Sequence, residues 1–353
     1  MVLNIFLLQS KNMVGKNMDE KILVIGPSWL GDMMMAQSLF KHLKLINNHI
    51  KIDVLAPSWS FPLLQCMPEI ENSIELDLTH GELGFKKRYH LAKSLSRNGY
   101  TSSIVLPNSW KSALIPFIAK IPKRIGWIGE MRFGLLNDIR YLRKSIYNKM
   151  VQRYVALAYP PNYMLPQQLL FPKLVVELEN IKQLKEKFFV NLSYKLNPEL
   201  PILALCFGAA FGEAKCWPEE YFIKLAYLAS KEFNVWILGT KQDLKINNME
   251  NIINFSGKTN LLETISLLSL VDLVVCNDSG LMHIAASLNK KIIGIYGATS
   301  EKFTPPLTEQ FKILNKHLAC SPCFARNCPL KHHNCMHQIT VEEVFATIKD
   351  LRF

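Results

Sequence analysis

Short apolar runs without polar alternation recur at 22–26 (ILVIG), 52–57 (IDVLAP), 103–108 (SIVLPN), 202–208 (ILALCFG), 235–239 (VWILG), 272–278 (DLVVCND) and 291–297 (KIIGIYG). Continuous apolar strands of this length belong in parallel sheets buried on both faces. Segments of helical period lie between them at 33–46, 218–233, 261–271 and 340–351. Pro218 suits a first helical turn, and Glu219 and Glu220 suit the positive end of the helix. Asn260 with Glu263, and Thr340 with Glu343, have the spacing of a capping box. Strand–helix–strand order, run through twice, predicts an α/β fold of two parallel sheets with right-handed crossovers. The Pro-rich stretch 159–172 and the charged segment after it interrupt the pattern and place a linker near 172–180.

The turns after these strands carry the candidate chemistry, because ligands of doubly wound sheets bind at the carboxyl ends of the strands. The first strand runs into GPSWLGD (26–32). Its glycines allow a tight turn, but the spacing is not G-x-G-x-x-G, which argues against a dinucleotide cofactor, and it is not a P-loop, since Asp32 and not Lys follows Gly31. Asp32 can accept a proton from a sugar hydroxyl, or it can simply cap the helix that follows. In the second half, ILALCFG leads into GAAFGEAKCWPEE (208–220). Gly208 and its small neighbours bring backbone amides close to a ligand, and Lys215 adds a cation, a combination that suits phosphate unless Lys215 is merely solvated. The run VVCNDSGLMHIAA (274–286) ends a buried strand at Asp278 and starts a helix near Gly280. Ser279 and Gly280 leave room for phosphate there, and His283 lies one turn in. The alternative makes Asp278 or Ser279 a cap and His283 a core imidazole. No G-x-S-x-G elbow surrounds Ser279, so a hydrolase nucleophile is not indicated.

Charge sharpens this picture. The 353-residue chain has a net charge of +12, almost all of it in one half: residues 1–175 carry 22 Lys and Arg against 11 Asp and Glu, residues 176–353 carry 19 against 18. A basic half points to a polyanionic partner such as nucleic acid, an anionic membrane surface or a phosphorylated substrate. The run 106–140 concentrates it, mixing Lys111, Lys120, Lys123, Arg124, Arg132 and Arg140 with Trp110, Trp127 and Phe133. Sugar–phosphate recognition and RNA binding both use that mixture, but no RNP1-type pattern occurs. The apolar run at residues 2–8 lacks preceding basic residues and a following cleavage site, so it makes a poor signal peptide. No stretch reaches the length of a membrane span. Met18 is an alternative start, which would make the preceding residues a loose tail.

Of eight cysteines, Cys66, Cys206, Cys216 and Cys276 are scattered, as buried thiols of a reducing compartment would be. Cys320, Cys323, Cys328 and Cys335 cluster beside His332, His333 and His337 in CSPCFARNCPLKHHNCMH. Four close thiols favour zinc over disulfides, yet the spacing is not that of the common two-plus-two ribbon, and free thiols remain the other reading.

The blocks KILVIGPSWLGDMMMAQSL (21–39), LPNSWKSALIPF (106–117), GWIGEMRFGLLNDIR (126–140), FGAAFGEAKCWP (207–218) and NDSGLMHIAA (277–286) resemble the ADP-heptose:lipopolysaccharide heptosyltransferases of glycosyltransferase family 9. The resemblance covers nearly the whole chain from Lys21. It implies a GT-B fold, two Rossmann-like domains facing a cleft. Residues 1–20 would be a loose tail, 21–175 the acceptor-binding domain, 176–339 the ADP-heptose-binding domain with the Cys-rich segment 320–337, and 340–353 a C-terminal helix. Asp32 resembles the family's catalytic base and Lys215 the lysine that contacts donor phosphates. Gly208, Asp278, Ser279, Gly280, Leu281 and His283 fall in the donor-binding loops. Ala209 and Ala210 stand where relatives carry Thr, so hydroxyl contacts to the donor are not expected there. The acceptor implied is phosphorylated heptosyl-Kdo–lipid A, matching the basic half, with Lys111, Arg124 and Arg132 as its candidate contacts. Transfer would invert the anomeric centre without metal or cofactor. The enzyme would be cytoplasmic, working at the cytoplasmic face of the inner membrane with no nucleic-acid partner. A basic RNA-binding protein and an NAD-dependent epimerase are the alternatives. The first lacks an RNA signature and the second lacks G-x-G-x-x-G.

Overall fold

A computed structural model describes residues 20–78, 82–190, 196–240 and 246–351. The expected loose tail, apart from its last residue, and the end of the C-terminal helix lie outside these residues. The chain divides into two compact units between Pro172 and Lys173.

Each unit is built on a six-stranded sheet. The first contains β1 (Lys21–Ile25), β2 (Lys51–Ala56), β3 (Asn72–Glu75), β4 (Ser102–Val105), β5 (Lys123–Trp127) and β6 (Asp138–Arg140), in the order β3-β2-β1-β4-β5-β6. The second contains β7 (Ile202–Cys206), β8 (Asn234–Leu238), β9 (Ile252–Asn254), β10 (Leu273–Asn277), β11 (Lys291–Ile295) and β12 (Phe311–Leu314), in the order β12-β11-β10-β7-β8-β9. All strand pairs are parallel. Read from its own first strand, each sheet has the doubly wound order 3-2-1-4-5-6. The strand order therefore reverses between β1 and β4 in one unit and between β7 and β10 in the other. In these four strands Leu23, Val24, Val105, Leu203, Leu205, Val274 and Val275 are wholly buried.

All seven expected strands form. The pattern did not reveal β3, β5, β6, β9 and β12. β3 and β12 are sheet edges with partly exposed polar residues, β6 and β9 have three residues each, and β5 begins with Lys123 and Arg124. Strands covered on fewer sides lack the continuous apolar run that marks a central strand.

The helices form where their periodicity places them, at Leu30–Ile46, Glu219–Ala229, Leu261–Leu270 and Val341–Leu351. The Asn260 box is complete: the Glu263 N–H donates to Asn260 Oδ1 and the Asn260 N–H to Glu263 Oε2, both at 2.9 Å. At Thr340 only half of the box exists. The Glu343 N–H reaches Thr340 Oγ1 at 3.2 Å, while the Glu343 carboxylate pairs with Lys316 at 2.7 Å. Among the described residues no helix is long and apolar enough to cross a membrane.

Candidate functional site

In the second unit, the loops after β7 and β10 adjoin because their strands are neighbours at the switch point. Asn277, the last residue of β10, ties them together. Its Oδ1 accepts the Trp217 N–H at 3.0 Å and its Nδ2 donates to Gly208 O at 3.3 Å. The Trp217 indole is buried and donates to Ile339 O at 2.8 Å, which anchors the far end of the 208–216 loop.

On this base sits an ion pair. Lys215 Nζ is 2.8 Å from Asp278 Oδ2, which also accepts the Thr299 hydroxyl at 2.6 Å. Asp278 is buried, while Lys215 keeps part of its surface exposed. A buried carboxylate needs such partners. Ser279 is the N-cap residue of the helix Gly280–Ser287, but its hydroxyl makes no bond to that helix. The first amides of the helix and the Ser279 hydroxyl therefore stand beside the lysine, and a diphosphate fits such a set of donors.

His283 is buried one turn into the same helix, and its Nδ1 has no hydrogen-bond partner among the described residues. Burial pushes its pKa down to about 4, opposed by the Asp278 carboxylate and reinforced by the Lys215 ammonium. His42, in the first unit, is also held at about 4, by burial and then by Lys41. A group whose folded pKa lies below the unfolded value of about 6.5 stabilises the fold at higher pH, and the contribution is lost as pH falls through that window. Stability should therefore decline from about pH 6.5 towards pH 4, with a His283 share on the order of 3 kcal/mol. Urea unfolding of His283→Asn across that range should show a shallower decline than wild type. Parallel profiles would count against a neutral buried imidazole.

In the first unit, the loops after β1 and β4 adjoin at the other switch point. Trp29 is the N-cap residue of the helix Leu30–Ile46, and Asp32 lies within the first helical turn. A carboxylate is favoured there by the helix dipole. The buried Tyr154 hydroxyl hydrogen-bonds the Asp32 carboxylate. Burial first, and then Asp32, raise the Tyr154 pKa well above the ordinary phenol value, so it remains a neutral donor.

The three basic residues assigned to the acceptor fare differently. Lys111 lies in the loop after β4, half-buried, with Nζ 3.3 Å from Glu82 O. Arg132 does not face solvent at all: it is fully buried. Its guanidinium donates to Pro107 O at 2.7 Å, to Ser112 Oγ at 3.3 Å and to Trp127 O. Burial lowers its pKa to about 10, which leaves it charged at neutral pH. It binds the 107–112 loop to the end of β5, and a surface contact with a substrate is not what this placement offers. Gly129 packs into the same corner, where φ is +51° and a Cβ would come within 2.2 Å of Asn108 O. Arg124 is the second residue of β5, at the amino end of the sheet and so opposite the ligand edge. Its guanidinium donates to Leu135 O and Ile121 O, each at 2.7 Å. Composition raised both arginines as candidates, and only tertiary placement shows that they hold loops.

The Cys-rich segment forms its own pocket. Cys320, Cys323, Cys328 and Cys335 line a cavity of about 250 Å3 together with His332, His333 and Ala214. Backbone N–H groups, that of His333 foremost, point at the Cys328 sulfur and lower its pKa. Burial and then the other three thiols raise that of Cys335. Among the described residues no three His, Cys, Asp or Glu side chains are grouped so as to hold a metal ion.

Two partners in these sites had no sequence signal: Tyr154 and Thr299 meet their carboxylates only through the fold.

The profile of glycosyltransferase family 9 (heptosyltransferase) matches residues 88–334. The chain is 41% identical to the lipopolysaccharide heptosyltransferase 2 of Salmonella typhimurium, over 94% of this chain and 98% of that protein. It is 45% identical to the lipooligosaccharide heptosyltransferase 2 of Haemophilus influenzae, over 83% and 88%. The solved structure of the ADP-heptose lps heptosyltransferase II of E. coli superposes with a TM-score of 0.81 at 38% identity, covering 94% of this chain and 98% of that one. With its two parallel sheets, each strand order and each switch-point loop in place, the chain belongs to glycosyltransferase family 9, the heptosyltransferases, and has their GT-B fold.

Proposed function

We propose that this protein transfers a heptose from ADP-heptose to the first heptose of phosphorylated heptosyl-Kdo–lipid A, with inversion at the anomeric carbon and without a metal in the chemistry. The observation that carries the reading is the second switch point, where Lys215, the Ser279 hydroxyl and the first amides of the helix at Gly280 gather beside one another. Gly208 and Leu281 complete the donor loops, and Asp278 fixes the lysine. The residues 21–172 hold the acceptor in this reading, with Lys111 as its cation on the ligand edge and Arg132 keeping that loop in shape. The lipid nature of the acceptor places the enzyme at the cytoplasmic face of the inner membrane, consistent with its basic first half.

The steps follow from the side chains. The acceptor hydroxyl gives its proton to Asp32 as its oxygen bonds to the anomeric carbon. The bond from that carbon to the diphosphate breaks, and ADP leaves with both electrons. Lys215 and the helix amides meet the growing negative charge, as preorganised donors do in such sites. Tyr154 holds the Asp32 carboxylate in one orientation and does not itself touch the reacting atoms.

Titration of ADP tests the donor assignment. Lys215→Ala should weaken ADP binding about 10–100-fold, the scale of a charge-assisted contact in a partly dry site. Unchanged ADP affinity would remove the 208–216 and 278–283 loops from donor binding.

A further inference from the structure

The Cys-rich segment is fastened to the ligand edge of the second sheet. The Ser321 hydroxyl donates to Gly297 O, and the Phe324 N–H to Ala298 O at 2.7 Å, just beyond the end of β11. Two residues later the chain meets the 208–216 loop. The Ala214 N–H donates to Arg326 O at 3.0 Å. Gly212 faces the same carbonyl so closely that a Cβ there would lie 2.4 Å from it.

This contact brings a second cation to the loop. The Arg326 guanidinium lies 5.8 Å from the centroid of the Phe211 ring, and Lys215 Nζ lies 5.0 Å from the same centroid. The two differ in one respect. Lys215 is already paired with Asp278, whereas Arg326 is exposed and pairs with no carboxylate among the described residues. An exposed contact between a cation and a ring is weak and easily exchanged. A guanidinium offers a planar fork of donors that matches two phosphate oxygens at once.

We propose that Arg326 is a second phosphate-binding cation of the donor site, carried into it by the Cys-rich segment and set beside the Phe211 ring. The inference rests on the reading of the 208–216 and 278–283 loops as a nucleoside-diphosphate site. Lys215, shared with Asp278, neutralises only part of a diphosphate, and Arg326 supplies the remainder.

Calorimetric titration of ADP, with adenosine measured by competition, separates the possibilities. Arg326→Ala should weaken ADP about tenfold and leave adenosine unchanged, and Arg326→Lys should recover part of the loss. A merely structural role would weaken adenosine and ADP alike, without recovery by lysine, and that result overturns the proposal. So does an ADP affinity that Arg326→Ala leaves unchanged while Lys215→Ala lowers it. If Lys215→Ala also has no effect, the donor site itself is misplaced, and the proposal falls with it.

Discussion

Asp32→Asn should lower kcat about 10²–10⁴-fold, the usual share of a general base, while ADP affinity stays near wild type. Asparagine keeps the shape of the side chain and can still accept the Tyr154 hydroxyl bond, but it cannot take up a proton. The fold should tolerate it: the residue is half-buried in a first helical turn whose N-cap position belongs to Trp29. Tyr154→Phe provides the companion measurement. It leaves the base in place and removes the hydroxyl that orients it, so its loss in kcat should be smaller than that of Asp32→Asn. A stable Asp32→Asn protein with near-normal turnover would confine Asp32 to a helix-end role. His283 would then be the next base to test, since its buried imidazole stays neutral at pH 7.

Arg132→Met should be the most destabilising of the substitutions considered. Methionine fills much of the volume but removes the donor to Trp127 O and the shorter of the two to Pro107 O, which keeps only the Ser112 hydroxyl at 3.1 Å. Each weakened or lost carbonyl bond costs roughly 1–3 kcal/mol, so the two together should cost about 2–6 kcal/mol. In a unit of this size the midpoint of thermal unfolding should fall on the order of 10 °C. Lysine should not rescue it, because one ammonium cannot reproduce a fork that spans two strands' loops. At temperatures where the variant remains folded, ADP affinity should be unchanged and the acceptor KM raised, since the damage falls on the 107–112 loop. A variant as stable as wild type would show that Arg132 is not what fixes that loop.

Arg132 also shows where sequence reading stops. Its type and its neighbours suggested a surface cation, and nothing local indicates burial. Asp32, Lys215 and Asp278 were legible for the opposite reason: each sits in a short strand–turn–helix passage whose apolar strand and small turn residues mark the ligand edge. The seven central and near-central strands were legible because burial on both faces leaves an uninterrupted apolar run. The edge strands carry mixed residues, and β5 hid inside a run that reads as basic and aromatic. Pairings that the fold makes over long sequence separations left no trace at all. Tyr154 on Asp32, Thr299 on Asp278 and Arg326 on the 208–216 loop are each set by topology, not by neighbours in the chain.

Heptose transfer is tested most directly by incubating the purified chain with ADP-heptose and a mono-heptosylated Kdo–lipid A acceptor in EDTA, and weighing the product by mass spectrometry. The expected product is heavier by one heptose, formed with stoichiometric ADP and abolished by leaving out the first heptose of the acceptor. An unchanged acceptor mass, or a product that forms only when a divalent metal is restored, would contradict it.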